Sequence, residues 1–307
     1  MLRILKAGLQ TSIQDGGRSG WMQYGIAKGG AADPVAMQLA NSLLGNPPHH
    51  PCLEITLTGP DIEFGCDLSI AICGAQFDLT LNGQSIDNDQ GIAVKKGDHL
   101  AFGPLQSGAR AYLALSAETV LPAAFGSLST HIQTEFGGYC GRALRAGDEI
   151  RLRNCRREPP RQLSNDYQLR YSARPQIRVI DGAEAEMFAD TARELFYRTT
   201  YSVSAQSNRM GIRLAGNGLD TAGLPQMTSS GLCPGSVQIP PDGSPIISFV
   251  EGQTIGGYPR LAHVISADQH LLGQLKPHDR IDFFRVDLDT AIRILRDKTA
   301  ELSRLIE

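Results

Sequence analysis

The chain has 307 residues, a formal net charge of −3 and a pI near 6.2, with 41% hydrophobic and 20% charged residues. This length can bury a large core and suggests about two domains. The small net charge gives no electrostatic reason to expect binding to nucleic acid or to an acidic membrane surface. Neither an apolar run of about 18 residues nor a leader-like start is visible, so we expect a cytoplasmic protein without a membrane span.

The six cysteines show no Cys-x-x-Cys spacing and no nearby pair of histidines. This pattern favours buried, reduced thiols over a zinc site or a framework of disulfides, and we predict no metal site. A catalytic cysteine stays open, because its histidine could come from anywhere in the fold.

The first half of the chain predicts one helix followed by many short strands. Asp33 and Pro34 are typical of a helix start, and Gly45 is typical of a helix stop. Asn82 and Gly83 suit the type I′ turn of a β-hairpin. The remaining pattern predicts strands at Leu2–Lys6, Thr11–Gln14, Cys52–Leu57, Asp61–Phe64, Leu68–Cys73, Phe77–Leu81, Gly91–Val94, His99–Phe102 and Arg110–Ser116. Short strands at even spacing indicate a sandwich or a barrel.

The second half follows a polar, Pro- and Arg-containing linker at Arg156–Gln176. We therefore predict two domains, residues 1–170 and 171–307. Ala183–Tyr197 is predicted as a helix with Met187, Ala192, Leu195 and Phe196 on its buried side. A last helix from about Asp289 to Ile306 is expected to bury a stripe formed by Ile292, Leu295, Leu302, Leu305 and Ile306.

The stretch Gln253–Asp268 contains the most polar loop between two predicted strands. The pair Gly256 and Gly257 would let the backbone take a positive φ and approach a ligand closely. Gln253, Thr254, Tyr258 and Arg260 add hydrogen-bonding groups and one fixed positive charge. This make-up favours a loop that holds an anionic or amide-bearing small molecule. The alternative is a glycine-rich hairpin whose polar groups face water.

Well-known catalytic motifs are missing from the sequence. It contains no Gly-x-x-x-x-Gly-Lys-Ser/Thr loop, no Gly-x-Ser-x-Gly elbow and no His-Glu-x-x-His pair. Any chemistry on ATP must therefore use another kind of site or another polypeptide. The Met-Lys pair on which biotin is usually carried is also missing, so we predict no covalent biotin on this chain.

Several blocks along the chain, in the right order, resemble one known family. Those of the first half are Gln14, Asp15, Gly17, Arg18, Gly20, Gly25, Gly30, Ala31, Asp33, Asn41, Leu44, Gly45, Asn46, Leu53–Leu57, Gly59 and Pro60. Those of the second half are Ser207–Gly211, Arg213, Leu214, Gly235, Gln238, Pro240, Asp242, Gly243, Pro245, Ile246, Gln253, Thr254, Gly256–Arg260, Ile265, Ala267 and Asp268. The sequence is similar to the family of the 5-oxoprolinase C subunit, also known as allophanate hydrolase subunit 2 or the biotin-dependent carboxyltransferase family.

The resemblance implies a mainly β fold of two cyclophilin-like β-barrel domains with a few flanking helices. It also implies a component of an ATP-dependent 5-oxoprolinase, which hydrolyses 5-oxo-L-proline to L-glutamate while ATP is cleaved to ADP and phosphate. The chain would act with the companion A and B subunits. ATP, with Mg²⁺ as an option, would be bound by or shared with one of these companions.

We place the chemistry of this family on residues of the matching stretches around Asp15, around Asn208 and within Gln253–Asp268. The catalytic candidates are Arg260, as a clamp for a carboxylate or phosphate, with Tyr258 and Gln253. The candidates for substrate binding are Asn208, Arg209, Thr254, Gly256, Gly257, Arg18 and Asp15. Arg209 is an alternative to Arg260 as the clamp, and a structural ion pair with Asp15 is an equal alternative for Arg18. Asp33 is expected to be a helix cap, and Asp268 and His263 are expected to be structural.

Two other functions stay open at this point. Relatives of the same family act as carboxyltransferases on urea, which would require a biotin carrier on another chain. A regulatory protein that antagonises a kinase inhibitor is the second alternative, because one relative acts in this way by gripping a partner.

Overall fold

The computed structural model describes the backbone of residues 1–306 and the side chains of residues 1–304. The chain forms two compact units. Unit 1 contains Met1–Arg18, Gly29–Tyr171 and the chain end from Ser303, and unit 2 contains Ser19–Lys28 and Ser172–Leu302. The short segment Ser19–Lys28 thus belongs to unit 2, although the sequence predicted it as part of the first domain.

Unit 1 contains the helix α1, Pro34–Leu43, and eleven strands, nine of which form one sheet. Its strands are β1 Leu2–Lys6, β2 Gln10–Gln14, β3 Cys52–Thr56, β4 Asp61–Phe64, β5 Leu68–Leu81, β6 Gln84–Ile86, β7 Gly91–Val94, β8 His99–Leu115, β9 Glu118–Thr119, β10 Glu149–Ile150 and β11 Leu152–Arg153. The sheet runs β10-β1-β4-β8-β3-β2, and β5 pairs with β6, β7 and β8, while β9 and β11 form a separate pair. Helix α1 packs against β5 and β8.

The centre of unit 1 is the long antiparallel pair β5–β8. The sequence predicted each of these strands as two separate strands, but each is continuous. The pairing shifts its register between Gly74 and Leu79. Gly74 has a φ of 103°, and a side chain there would lie 2.6 Å from the Arg110 carbonyl oxygen. The glycine therefore forms an irregularity inside the strand, at the gap between the two strands that the sequence predicted.

Local signals in unit 1 were interpreted correctly. Asp33 caps α1, because its carboxylate accepts hydrogen bonds of 3.0 Å from the amides of Val35 and Ala36. Asn82 and Gly83 both have a positive φ, 54° and 79°, as a type I′ hairpin between β5 and β6 requires.

Unit 2 contains nine strands, seven of which form a closed barrel. Its strands are β12 Gln176–Asp181, β13 Tyr201–Val203, β14 Gly211–Ala215, β15 Ser230–Gly231, β16 Ser236–Gln238, β17 Ile246–Ser248, β18 Ile255–Gly256, β19 Arg260–Val264 and β20 Arg280–Arg285. The barrel order is β12-β19-β16-β17-β14-β13-β20, and β15 and β18 pair with each other beside it. The predicted mainly β fold is confirmed, with a closed seven-stranded barrel in unit 2 and a nine-stranded half-barrel sheet in unit 1.

The helices of unit 2 differ in part from the prediction. They are α2 Asp190–Arg198, α3 Gln269–Leu272 and α4 Leu288–Ile306, of which the part up to Leu302 belongs to unit 2. The predicted helix Ala183–Tyr197 is interrupted, because Phe188 has extended backbone between a short 3₁₀ turn and α2. Met187 is consequently 49% exposed, whereas Ala192 and Phe196 are buried as predicted.

Helix α4 buries a different face from the predicted one. Ala291 and Ile294 pack against Ile265 and Ala267, while Ile292 and Leu295 are each 39% exposed. The side chains of Leu305 and Ile306 lie outside the described residues. None of the helices within residues 1–306 is long and apolar enough to cross a membrane.

Candidate functional site

The polar loop singled out in the sequence connects β17 to β19 of the barrel. Its middle forms β18, which pairs with β15 through Ser230–Gly256 and Gly231–Ile255. The amide of Leu232 also donates a hydrogen bond of 2.9 Å to the Thr254 carbonyl. We call residues Gln253–Pro259 the 253–259 turn. The prediction of a loop between two strands is confirmed, and its backbone is tied to a neighbouring segment.

The two glycines of the turn do not have the predicted backbone conformation. Neither Gly256 nor Gly257 has a φ in the left-handed region, so the expectation of a positive φ is wrong. A Cβ on Gly256 would lie 2.6 Å from the Gln238 Nε2 and 3.2 Å from the Leu232 Cδ2. At Gly257 the nearest atom would be the Ser229 Oγ at 3.4 Å, which is ordinary contact. Gly256 is therefore closely packed against the Gln238 side chain, whereas Gly257 has room for a Cβ, and their assignment to substrate binding stays a prediction.

The 253–259 turn forms one wall of a pocket of about 1030 Å³, which we call the larger pocket. The other walls are Gly25, residues between Thr221 and Ser229, Ile239 and Pro241. All of these residues belong to unit 2. None of the described residues that line this pocket carries a charge. The larger pocket therefore suits a neutral group that offers hydrogen bonds.

A second pocket, of about 340 Å³, shares part of the same wall, and we call it the smaller pocket. Gln253 and Tyr258 line both pockets. Tyr258 is 46% exposed. Within the described part of the chain, neither side chain has a hydrogen-bond partner. Both are therefore free to bind a ligand from either pocket.

Arg260 does not line either pocket. Its guanidinium donates to both carboxylate oxygens of Glu184, with an Nε–Oε2 distance of 2.7 Å, and to the Gly231 carbonyl at 2.7 Å. The Arg260 amide adds a fourth hydrogen bond, to the Glu184 Oε2 at 2.9 Å. The hydrogen bonds from Arg260 hold the pKa of Glu184 below its usual range. The structure does not support the predicted substrate clamp, since this arginine anchors the end of the turn to an internal carboxylate.

Arg209 is likewise engaged within the protein. Its guanidinium pairs with Glu251, and the two side chains are only 4% and 1% exposed. The Glu251 amide also donates to the Arg209 carbonyl at 2.8 Å. A buried pair of this kind fixes the loop after β17, because removing either charge would leave the other without compensation. The structure gives Arg209 a structural role in place of the predicted contact with substrate.

Asn208 and Thr254 do lie at the site. Asn208 lines the smaller pocket, and its side-chain oxygen accepts hydrogen bonds from the amides of Met210 and Gly211 at 2.8 and 3.3 Å. These bonds leave the amide nitrogen of Asn208 as the group that a ligand can reach. Thr254 lines the larger pocket. Their assignment to substrate binding stays a prediction.

Asp15 and Arg18 lie in unit 1 and line neither pocket. Asp15 accepts hydrogen bonds from Ser127 Oγ and the Leu128 amide, both at 2.6 Å, and from the Gly17 amide at 2.8 Å. Arg18 is 1% exposed and lies 4.6 Å from the centre of the Phe136 ring. These contacts give both residues a structural role within unit 1. The assignment of either to substrate binding has no support from their surroundings.

Asp268 and His263, which were predicted to be structural, are both engaged within unit 2. Asp268 is 1% exposed and accepts hydrogen bonds of 2.9 Å from the backbone and the Nε of Arg178. His263 lies 3.3 Å from Ser236 Oγ, and burial together with the nearby positive charge of Arg260 lowers its pKa. In the described chain, no group of three or more His, Cys, Asp or Glu side chains could hold a metal ion.

Sequence reasoning did not single out Gln238 as a site residue, although its side chain contacts the 253–259 turn. Gln238 is 8% exposed, lines the smaller pocket and donates to the Tyr258 carbonyl at 3.3 Å. The sequence did contain a weak signal, because Gln238 is a polar residue between Val237 and Ile239 in a buried strand. A polar side chain at such a position usually has a specific partner.

The fold is that of a carboxyltransferase-type protein. Residues 24–285 match the family described as carboxyltransferase domain, subdomain A and B, and the chain belongs to this family. Over 305 residues it is 36% identical to the C subunit of the 5-oxoprolinase of Escherichia coli K12, in an alignment that covers 99% of this chain and 97% of that protein.

The same fold also occurs as one part of larger proteins. The chain is 32% identical to the urea amidolyase of Saccharomyces cerevisiae, across 94% of this chain and 17% of that protein. The crystal structure of the K. lactis urea amidolyase superposes with a TM-score of 0.92 and 29% identity, covering 99% of this chain and 20% of that one. Related sequences thus exist both as a separate polypeptide and as a domain within a longer one.

Proposed function

We propose that this chain is the C subunit of an ATP-dependent 5-oxoprolinase, in which it binds 5-oxo-L-proline and orients the lactam for ring opening. The observation that carries the proposal is the 253–259 turn, whose polar side chains face two adjoining pockets. The similarity to a protein named as the C subunit of a 5-oxoprolinase, at 36% identity over 99% of this chain, supports the choice of substrate.

Direct hydrolysis of 5-oxo-L-proline is slow, because a five-membered lactam is an unactivated amide. Transfer of a phosphoryl group from ATP to the lactam oxygen activates the amide carbon, and water attacks that carbon. The ring C–N bond then breaks, with the nitrogen leaving as a protonated amine, and a second water molecule hydrolyses the resulting acyl phosphate of glutamate and releases phosphate. The products are L-glutamate, ADP and phosphate. The protein has to provide fixed hydrogen-bond donors for the lactam oxygen and to limit access of other water molecules.

Gln253 and Tyr258 meet the first of these needs. The side-chain amide of Gln253 can accept from the lactam N–H and donate to its carbonyl oxygen, while the Tyr258 hydroxyl donates one further hydrogen bond. The two residues share one wall of both pockets. A lactam held by both has one orientation, which is the positioning contribution expected of this chain.

The phosphates of ATP do not fit the larger pocket. Binding of a triphosphate uses arginine, lysine or a carboxylate-bound Mg²⁺, and the described residues that line this pocket are all uncharged. We therefore assign ATP binding to one of the companion A and B subunits. Such a complex would be cytoplasmic, because ATP is supplied there.

Carboxyl transfer to urea is the second candidate function, because the chain is 32% identical to a urea amidolyase over 94% of its length. Urea is also a small amide, and Gln253 and Tyr258 could bind it in the same way. This function would require a biotin carrier on another polypeptide.

Reconstitution of the complex separates the two functions. The chain would be mixed with its companion subunits, and ADP release would be followed with 5-oxo-L-proline or with urea. We expect ADP release only with 5-oxo-L-proline, together with formation of glutamate, and no activity of the isolated chain. Carboxylation of urea in the presence of a biotinylated carrier, without glutamate formation, would contradict the proposal and favour the second function.

A further inference from the structure

The floor of the smaller pocket is the outer face of three neighbouring barrel strands. In the register of β14, β17 and β16, Gly211 lies opposite Ser248, and Ile246 lies opposite both Arg213 and Gln238. Along each strand, the residues next to these five point into the barrel and are buried. They are Ile212, Leu214, Val237 and Ile247. Because side chains alternate along a strand, the first set shares the outer face. The fold thus places Arg213 and Ser248 in one pocket.

Ser248 offers a buried hydroxyl to this pocket. The residue is only 4% exposed, and its Oγ has no hydrogen-bond partner among the described residues. A side chain on Gly252 would collide with this oxygen, so the glycine keeps the space in front of the hydroxyl open. A buried hydroxyl without a partner costs free energy, which a ligand that accepts its hydrogen bond would offset.

Arg213 brings the positive charge that the sequence analysis had assigned to other arginines. Within residues 1–304, no side chain or carbonyl pairs with its guanidinium, in contrast to Arg209 and Arg260. Its backbone is fixed, because its amide donates to Ser207 Oγ at 3.0 Å and its carbonyl accepts from the Ser204 amide at 2.9 Å. Arg213 is the only charged residue described as lining the smaller pocket. The pocket therefore favours a negatively charged ligand.

We propose that the smaller pocket is a binding site for a small carboxylate, which pairs with the Arg213 guanidinium and accepts a hydrogen bond from the Ser248 Oγ. Diagonal neighbours on paired strands lie roughly 7–8 Å apart, so one carboxylate can reach both side chains. A planar guanidinium suits the geometry of a carboxylate. In combination with the proposed function, on which this last step rests, the carboxylate is that of 5-oxo-L-proline. Its lactam then reaches Gln253 and Tyr258.

Three small probes test this site in the whole chain by NMR titration. The probes are 5-oxo-L-proline, 2-pyrrolidinone, which has the same lactam without the carboxylate, and propionate, which has a carboxylate without the lactam. The proteins are the wild type, Arg213→Gln, Ser248→Ala and the control Arg280→Gln. Arg280 is an exposed arginine of the same barrel that lines neither pocket, so its change removes one charge without touching the site. Thermal unfolding of each variant verifies that it is folded.

We expect Arg213→Gln to weaken binding of both carboxylates by about 10- to 100-fold and Ser248→Ala by about 3- to 10-fold. The affinity for 2-pyrrolidinone should stay unchanged in Arg213→Gln, and Arg280→Gln should behave as the wild type. Carboxylate affinities that are equal in wild type and Arg213→Gln, or no carboxylate binding at all, would overturn the carboxylate site. Binding of propionate through Arg213 without binding of either lactam would support the site and contradict the proposed function instead.

Discussion

The pair formed by Arg260 and Glu184 leads to the most direct prediction about the site's architecture. Glu184 accepts three hydrogen bonds from Arg260, one of them from the backbone amide at the start of β19. In Glu184→Ala this amide would lose its partner, and the guanidinium would keep only its hydrogen bond to the Gly231 carbonyl. We expect the 253–259 turn to loosen at its C-terminal end as a result.

The size of the effect follows from burial. The side chains of Arg260 and Glu184 are 20% and 8% exposed, and removal of one partner from a buried pair costs about 3–5 kcal/mol. The partial exposure of Arg260 places this case at the lower end, at about 3 kcal/mol. The exposed pair of Arg198 and Glu194, 3.4 Å apart in α2 and 79% and 64% exposed, is a matched control in the same unit. Glu194→Ala should cost only about 0.3–0.5 kcal/mol.

Urea denaturation and hydrogen exchange measure this difference. The midpoint of the transition should fall by about 1 M in Glu184→Ala and barely change in Glu194→Ala. Because a chain with two units need not unfold in a single step, exchange of the amides in β19 provides a local second measurement. Equal midpoints and equal exchange in the two variants would refute the anchoring role of Glu184.

Three further predictions concern single residues. Gly256→Ala should cost about 1–3 kcal/mol in thermal unfolding, because its methyl group would overlap the side chain beneath it, whereas Gly257→Ala should be tolerated; equal losses would contradict this packing argument. Hydrogen bonds from Arg142 lower the pKa of Asp148, so this carboxylate stabilises the fold above about pH 4 and the contribution is lost as the pH falls through the lowered pKa. Asp148→Asn should therefore flatten the acid side of the stability profile, and an unchanged profile would contradict this. Asp33→Ala should cost about 1–2 kcal/mol by removing the cap of α1, as measured by denaturation, while a loss below roughly 0.5 kcal/mol, the limit for an ordinary surface change, would argue against the cap.

The parts of the fold that could be predicted are those encoded by neighbouring residues. Asp33 and Pro34 start α1, and Asn82 and Gly83 make a hairpin turn, because each signal acts within a few residues. The continuity of β5 could not be predicted in this way. Gly74 lies in the gap between two predicted strands, and only its pairing with a strand more than 30 residues away shows that it is an irregularity within one strand.

In the candidate site, too, only the features encoded by neighbouring residues could be predicted. The polar 253–259 turn was visible in the sequence, because it stands between two apolar strands. The engagement of Arg260 was not, since its partner Glu184 lies 76 positions away. Arg213 and Ser248 belong to one pocket only through the register of two strands, which their separate sequence patterns do not specify. The sequence therefore indicated the polar loop, but it did not indicate which charged residue lines a pocket beside it.

The central claim is that Gln253 and Tyr258 hold the lactam, and the rate of ADP release that depends on 5-oxo-L-proline tests it most directly. The reconstituted complex would contain the wild type, Gln253→Ala, Tyr258→Phe or the control Tyr24→Phe, which changes a tyrosine that is 68% exposed. We expect kcat/KM to fall about 10- to 100-fold in the first two variants and to stay unchanged in the control. Wild-type values of kcat/KM in both Gln253→Ala and Tyr258→Phe would contradict the account.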